Sequence, residues 1–395
     1  MVTLKILHVH NFYTQPGGED TVFTAEVALM QNHGKNIIEY TDNNSRIHEM
    51  NSLALAIQTI WSTPSYDKLN DILQKEKPDL VHFHNTFPLI SPTAYSACRE
   101  RNVPVIQLLD NPRLICPAAT FYRNGQLCQD CLGKTPPLPG VIHGCYHDSR
   151  VQTAVIAAML TFHRWIKTWQ KLVDIYLVAT EFYKHKFIEA GLPAAKFFVK
   201  PHFVRCDPPP RSPDQKEKYV LFIGRLDPEK GLRTLLKAWK NLNIPLLIRG
   251  DGQLEQESRD FIQEHYMKSV EIIGRLSEDD LAQTINNARF LISPSEGYYE
   301  TFGMVAIECF AQGIPVVGSN IGFLPEIIKN GETGLLFNSG DPTDLASKVE
   351  WLWNHPEESA RMGSNARLEY EKKYTPEPNY QMLMDIYERA IAGKR

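Results

Sequence analysis

The chain has 395 residues, long for one hydrophobic core and suited to two domains of about 150–200 residues each. Its 43% hydrophobic and 22% charged residues are those of an ordinary globular protein, and a net charge of −4 gives no reason to expect nucleic-acid binding. Residues 1–200 carry 19 Lys and Arg against 17 Asp and Glu, the remainder 23 against 29, so the first half alone is mildly basic and compatible with a phosphate-bearing or membrane-surface partner.

The start, Met1–Phe12, is a strand-length apolar run without the long apolar core and cleavage site of a signal peptide. The strand-like runs that follow in the first half are Leu4–Val9, Asn36–Tyr40, Leu80–His84, Pro104–Leu109 and Ile175–Thr180, with helices predicted over Glu19–Asn32 and Ser149–Lys171. His163, Arg164 and Lys167 interrupt the apolar Val151–Leu160 stretch well short of the roughly 20 residues that span a bilayer. That helix is expected to bury against the first sheet, with peripheral contact at the inner membrane face as the other outcome. A cytoplasmic setting follows as the default, with all seven cysteines reduced.

Four prolines and mixed charges in Cys206–Lys218 mark a linker. Beyond it, strands are predicted at Tyr219–Gly224, Pro245–Arg249, Val270–Ile273, Phe290–Ser293, Pro315–Gly318 and Gly334–Phe337. Helices fit Gly231–Asn241, Glu278–Asn287, Thr301–Gln312, Asp341–Asn354 and Glu357–Lys373. The alternation predicts two doubly wound α/β domains facing each other across a cleft, with ligands at the carboxyl ends of the strands. The domains are expected at 1–205, with a cysteine-bearing insertion near 112–148, and at 219–375. A helix over 376–395 is expected to pack back toward the first domain.

Three strand ends carry candidate chemistry. In SEGYYETFGMVAIE (295–308), a helix opening at Thr301 would aim the N–H groups of Thr301, Phe302, Gly303 and Met304 at a diphosphate. Glu300 would then sit at the mouth, while Glu308, inside an apolar run, needs polar partners such as ribose hydroxyls. In IGRLDPEKGL (223–232), Arg225 and Lys230 would project past Gly224 as two cations for a leaving diphosphate; a surface ion pair with Asp227 and Glu229 is the plainer reading. In QPGGED (15–20), Gly17 and Gly18 allow close approach to phosphate or sugar, or simply turn a strand into a helix. The dinucleotide pattern G-x-G-x-x-G is missing, which speaks against an oxidoreductase.

These motifs, with IRGDG (248–252), Pro315-Val316-Val317 and GETGLLF (331–337), resemble the retaining GT-B glycosyltransferases of family four, over most of the chain. The resemblance implies two Rossmann-like domains and transfer of a hexose from a nucleoside diphosphate sugar, UDP-glucose foremost, to a glycan or lipid-linked glycan of the exopolysaccharide or envelope type. It assigns Arg225 and Lys230 to the diphosphate, Glu308 to the ribose, and Glu300 with Thr301, Phe302, Gly303 and Met304 to sugar and phosphate. It places Gly224 and Gly250 at the donor, Arg275 and Leu276 at the base, and Gly17 and Gly18 opposite. In VHFHN (81–85), His82 and His84 share one side of a strand, and in the family a histidine here faces the cleft. The next strand ends in Asp110 where the family usually carries histidine, and a carboxylate here is expected to orient an acceptor hydroxyl or to help hold positive charge at the anomeric carbon.

No D-x-D stands at a suitable strand end, and the cations supply the charge instead, so metal-independent donor binding is expected. Similar sequences share the insertion bearing Cys116, Cys128, Cys131 and Cys145. Its C-Q-D-C core suits a structural zinc or four packed thiols. A nucleotide-sugar-binding regulator and an epimerase or sucrose-type transferase are the alternatives on this scaffold.

Overall fold

The computed structural model describes residues 4–15, 17–206, 209–210, 219–274, 278–298 and 300–394. They fall into two compact units, one drawn from Met1–Ala119, Gln129–Pro201 and Asn379–Arg395, the other from Thr120–Cys128 and His202–Pro378. The strands in chain order are β1 (Lys5–Phe12), β2 (Asn36–Asn43), β3 (Leu80–Phe83), β4 (Val105–Leu108), the short pair β5 (Tyr122–Arg123) and β6 (Gln126–Leu127), β7 (Ile175–Val178) and β8 (Phe197–Val199). The second unit continues with β9 (Val220–Ile223), β10 (Leu246–Arg249), β11 (Val270–Gly274), β12 (Phe290–Ser293), β13 (Val316–Ser319) and β14 (Gly334–Phe337).

Among the described residues the first unit holds a six-stranded parallel sheet in the order β2-β1-β3-β4-β7-β8. Its interior strands are short and buried on both faces, as parallel strands under helices must be. The second unit holds another, ordered β11-β10-β9-β12-β13-β14. Numbered within its unit, that second order is 3-2-1-4-5-6, the order of dinucleotide-binding sheets, so both units are Rossmann-like α/β halves. The order reverses between β1 and β3 in the first sheet and between β9 and β12 in the second. Loops leaving adjacent strands there diverge, and a crevice opens at their carboxyl ends.

Helices fasten these sheets through apolar faces. In the second unit Leu232, Leu235, Leu236 and Trp239 of one helix join Phe222, Ile248, Phe290 and Val317 in one buried cluster. Trp239 also donates from its indole nitrogen to the Ile244 carbonyl at 2.9 Å, which satisfies its buried polar atom.

Three local readings need correction. The helix expected to open at Thr301 begins at Met304, because Gly303 takes a left-handed φ of 80° that a helix cannot include. Thr301, Phe302 and Gly303 are therefore a buried approach to the helix rather than its first turn. The helix expected over Ser149–Lys171 is two, Arg150–Trp165 and Thr168–Leu172, broken at Lys167 with φ 59°. Strands β5, β6 and β8 are additional to the expected set. Most of the expected linker 206–218 lies outside the described residues.

Candidate functional site

In the second unit the chemistry gathers where β9 and β12 end. The loop after β9 carries Arg225 and Lys230, and the loop after β12 carries Glu300. Lys230 Nζ donates to Glu300 Oε2 at 2.8 Å, with both side chains partly buried. Arg225, half exposed, pairs with Asp227 at 2.8 Å and Glu229 at 3.3 Å. Burial raises the Glu229 carboxyl above the usual carboxylate range, Asp227 adds to the rise, and Arg225 and Lys230 oppose it. The two loops are stitched at the backbone, since Glu296 N–H donates to the Glu229 carbonyl at 2.9 Å. Gly231 makes that approach possible: at φ 72°, a Cβ there would meet the Pro294 carbonyl oxygen at 1.8 Å. Gly250 does the same against Gly224, whose carbonyl oxygen would lie 1.8 Å from an added Cβ. The Met304–Ala311 helix starts just beyond Glu300 in the chain, and Glu308 lies one turn along it.

In the first unit, the reversal between β1 and β3 holds a buried polar network. His8 Nδ1 and His84 Nε2 are 3.1 Å apart, sharing one proton, and His82 Nδ1 lies 2.8 Å from the Tyr387 hydroxyl. Glu26 Oε2 is 3.8 Å from both His82 and His84, and Lys200 Nζ holds Glu26 Oε1 at 2.6 Å while donating to Asn379 at 3.0 Å. Burial lowers all three histidines: His8 to about 4 against the pull of Glu26, and His82 and His84 well below the usual value with help from neighbouring histidines. Their ligand atoms converge within 4.8 Å, so the trio has the donors of a metal centre. The Lys200 ammonium, near enough to push His82 down by its charge, works against a divalent ion there.

Beside this network a pocket is lined by His84, Asn85, Asp110, Asn111, Arg113 and Trp169, among others. Glu19, on the first turn of the Gly18–Asn32 helix, accepts from Tyr13 Oη at 2.9 Å and from Asn111 Nδ2 at 3.0 Å. Burial, then the nearby Asp110 charge, raises its carboxyl to about 7. Gly17 caps this helix, and Asp20 Oδ2 accepts from the Gly17 N–H at 3.0 Å.

Residues 207–369 match the family model of glycosyl transferases, group 1. The group 1 region thus covers the stitched loops, the Lys230–Glu300 pair and the helix start. An uncharacterized glycosyltransferase of Methanocaldococcus jannaschii is 34% identical over 43% of this chain and 48% of its own. D-rhamnosyltransferase WbpZ of Pseudomonas aeruginosa is 30% identical over 40% of this chain and 42% of its own. The chain thus spans about half the length of these curated relatives. Anabaena HepE, solved in complex with UDP, superposes at a TM-score of 0.70 and 16% identity, covering 98% of this chain and 100% of HepE. The fold is the GT-B fold.

Within the group 1 region the structure brings together Gly224, Arg225, Lys230, Gly250 and Glu300, with Thr301, Phe302, Gly303, Met304 and Glu308 following on in the chain. Arg275 and Leu276 lie outside the described residues. In the first unit, His84 and Asp110 line one pocket, and Gly17 and Gly18 open a helix after β1. Cys116, Cys131 and Cys145 belong to that unit, carry no disulfide, and are not among the described groups whose ligand atoms converge; Cys128 belongs to the second unit. Spacing alone did not single out His8, Glu19, Glu26, Lys200 or Tyr387. A signal was present in LHVH (7–10), where polar rings interrupt a strand buried on both faces.

Proposed function

We propose that the protein is a retaining glycosyltransferase of family four that transfers a hexose from a nucleoside diphosphate sugar to a hydroxyl of a glycan or lipid-linked glycan. The observation that carries this reading is the Lys230–Glu300 pair at the switch point of a 3-2-1-4-5-6 sheet, 2.8 Å apart and just ahead of a helix start. A diphosphate there meets two cations, Arg225 and Lys230, and the amides of Met304 and its neighbours. These groups supply the positive charge that a divalent metal supplies elsewhere, so donor binding is metal-independent. Glu308, one turn along the helix, suits the ribose. UDP-glucose is the leading donor; a HepE complex with UDP-glucose superposes at a TM-score of 0.69 and 16% identity, covering 98% of this chain and 100% of that one.

In the proposed step the acceptor oxygen forms the new glycosidic bond on the face from which the diphosphate departs. The anomeric carbon–oxygen bond to the diphosphate breaks, and a phosphate oxygen takes the acceptor proton. Lys230 and Arg225 stabilise charge growing on the leaving group, the stage at which fixed donors contribute most. Glu300 holds Lys230 and positions the sugar. The first-unit pocket with Asp110 and His84 takes the acceptor, and Asp110 orients its hydroxyl.

Calorimetric titration of the purified chain with UDP and UDP-glucose, with and without a chelator, tests this reading. Binding that survives chelation and is weakened by Lys230→Ala supports it. Absence of binding to any nucleoside diphosphate sugar in a panel overturns it.

A further inference from the structure

Three helices of the first unit turn apolar faces outward. The Ser52–Ile60 helix has no charged residue and exposes Leu53 and Ile57, followed by Trp61. The Leu138–His143 helix exposes Leu138 and Ile142, one turn apart. On the Arg150–Trp165 helix, exposed Val151 and Trp165 are fourteen residues apart, with exposed Ala158 midway, so all three fall on one stripe. The other two helices both pack against this one. Trp61 meets Phe162 edge to face with ring centroids 5.9 Å apart, which joins two of the faces. Arg164 ties the same helix to the segment that leads into the third, donating to the Lys134 carbonyl at 2.5 Å, and also donates to the Leu114 carbonyl at 2.6 Å. The exposed apolar positions are therefore carried by one packed layer of three helices, with Arg150–Trp165 the member that both others touch.

Exposed cations accompany two of the three helices, while Glu49 and Asp67 flank the Ser52–Ile60 helix. From Cys131 to Leu172 the chain carries Lys134, Arg150, Arg164, Lys167 and Lys171 against the single acid Asp148. Lys134, Arg150, Lys167 and Lys171 are exposed. Two tryptophans, Trp61 at 40% and Trp165 at 78% exposure, stand at the two helix ends. Indole rings favour the level of lipid headgroups, and cations attract anionic ones. No described helix is long and apolar enough to cross a membrane.

We propose that this surface lies on an anionic lipid bilayer, with Leu53, Ile57, Leu138, Ile142 and Trp165 entering the headgroup–acyl boundary and the lysines on phosphate. The apolar residues alone would equally suit a protein partner; the exposed cations Lys134, Arg150, Lys167 and Lys171 and the two exposed tryptophans select the lipid surface. Vesicle binding needs no nucleotide, so the proposal stands or falls separately from donor chemistry.

Flotation with vesicles of phosphatidylcholine and phosphatidylglycerol, compared with phosphatidylcholine alone, tests it. The full chain should float with the anionic vesicles and far less with neutral ones, and its tryptophan emission should shift to the blue. Ile57→Asp with Trp165→Asp should lower partitioning by about tenfold or more. Lys167→Glu with Lys171→Glu should lower it on anionic vesicles and reduce its salt sensitivity, with UDP affinity unchanged in both variants. Absence of flotation overturns the proposal whether the chain is monomeric by light scattering or forms a dimer that Trp165→Asp disperses. In the dimer case the surface belongs to a second copy.

Discussion

Lys230 and Glu300 meet at 2.8 Å although 70 residues separate them in the chain. They meet because β9 and β12 are neighbours in the sheet, while the strands between them in sequence lie on the far side of β9. The pair is a product of strand order.

The Lys230–Glu300 pair stays partly open to solvent, at 14% and 24% side-chain exposure, which screens its contribution to folding. Opposite a departing diphosphate the same ammonium contributes far more. Lys230→Ala is expected to raise the transfer barrier by about 2–4 kcal/mol, with a thermal midpoint close to that of the parent. Turnover and melting measured on one preparation check this; equal turnover removes Lys230 from the mechanism.

Gly231 offers a backbone test of the same site. An alanine there combines a left-handed φ with a 1.8 Å contact to a carbonyl, and neither the β9 loop nor Pro294 is a flexible side-chain tip. Gly231→Ala should cost more than about 2 kcal/mol of stability and weaken UDP binding by parting the two loops. Chemical denaturation and calorimetry read the two effects.

The histidines make acid the weak side of the first unit. Their folded-state values are depressed, so the stabilisation is complete above about pH 6.5 and is lost as pH falls toward the folded values, about 4 for His8. In that window each histidine that protonates only on unfolding removes about 1.4 kcal/mol per pH unit. Urea midpoints should therefore fall steeply below pH 6.5, and His8→Gln should flatten the slope by about one proton.

Glu19 behaves in the opposite sense. Its raised carboxyl favours folding below the ordinary carboxylate value of 4.5, and that contribution is gone once pH passes about 7. Glu19→Gln keeps an oxygen to accept from Tyr13 and Asn111 while removing the charge beside Asp110. The variant should melt about 2–4 °C higher than the parent at mildly alkaline pH, with the gain vanishing in mild acid. A gain that persists unchanged into acid would remove the charge explanation.

Local pattern carried most of the architecture. Apolar runs of four to eight residues between helical stretches located eleven strands to within a few residues, because strands buried on both faces have little freedom in composition. Single-residue backbone choices were less legible. Nothing in the run from Ser149 to Lys171 announces that Lys167 will adopt a left-handed φ, and a glycine at 303 is as compatible with a helix interior as with its cap. The three-residue edge strand Phe197–Val199 is too short to show a period. The residues proposed for the donor side stand out in the sequence because they follow strand ends in recognisable motifs. The Lys200–Glu26 ion pair, 174 residues apart in sequence, was not, since only the fold brings its halves together.

The first unit closes on residues that follow the second unit in the chain: Asn379 completes the ammonium's shell at Lys200, and Tyr387 bonds His82. Synthesis delivers those two side chains only after the second unit. A nascent chain that has emerged only through residue 201 must leave a lysine and a histidine short of the partners they require away from water. Folding of this half therefore waits until residues 379–387 have been made, and expressing 1–205 alone should yield a product that chaperones retain or that precipitates.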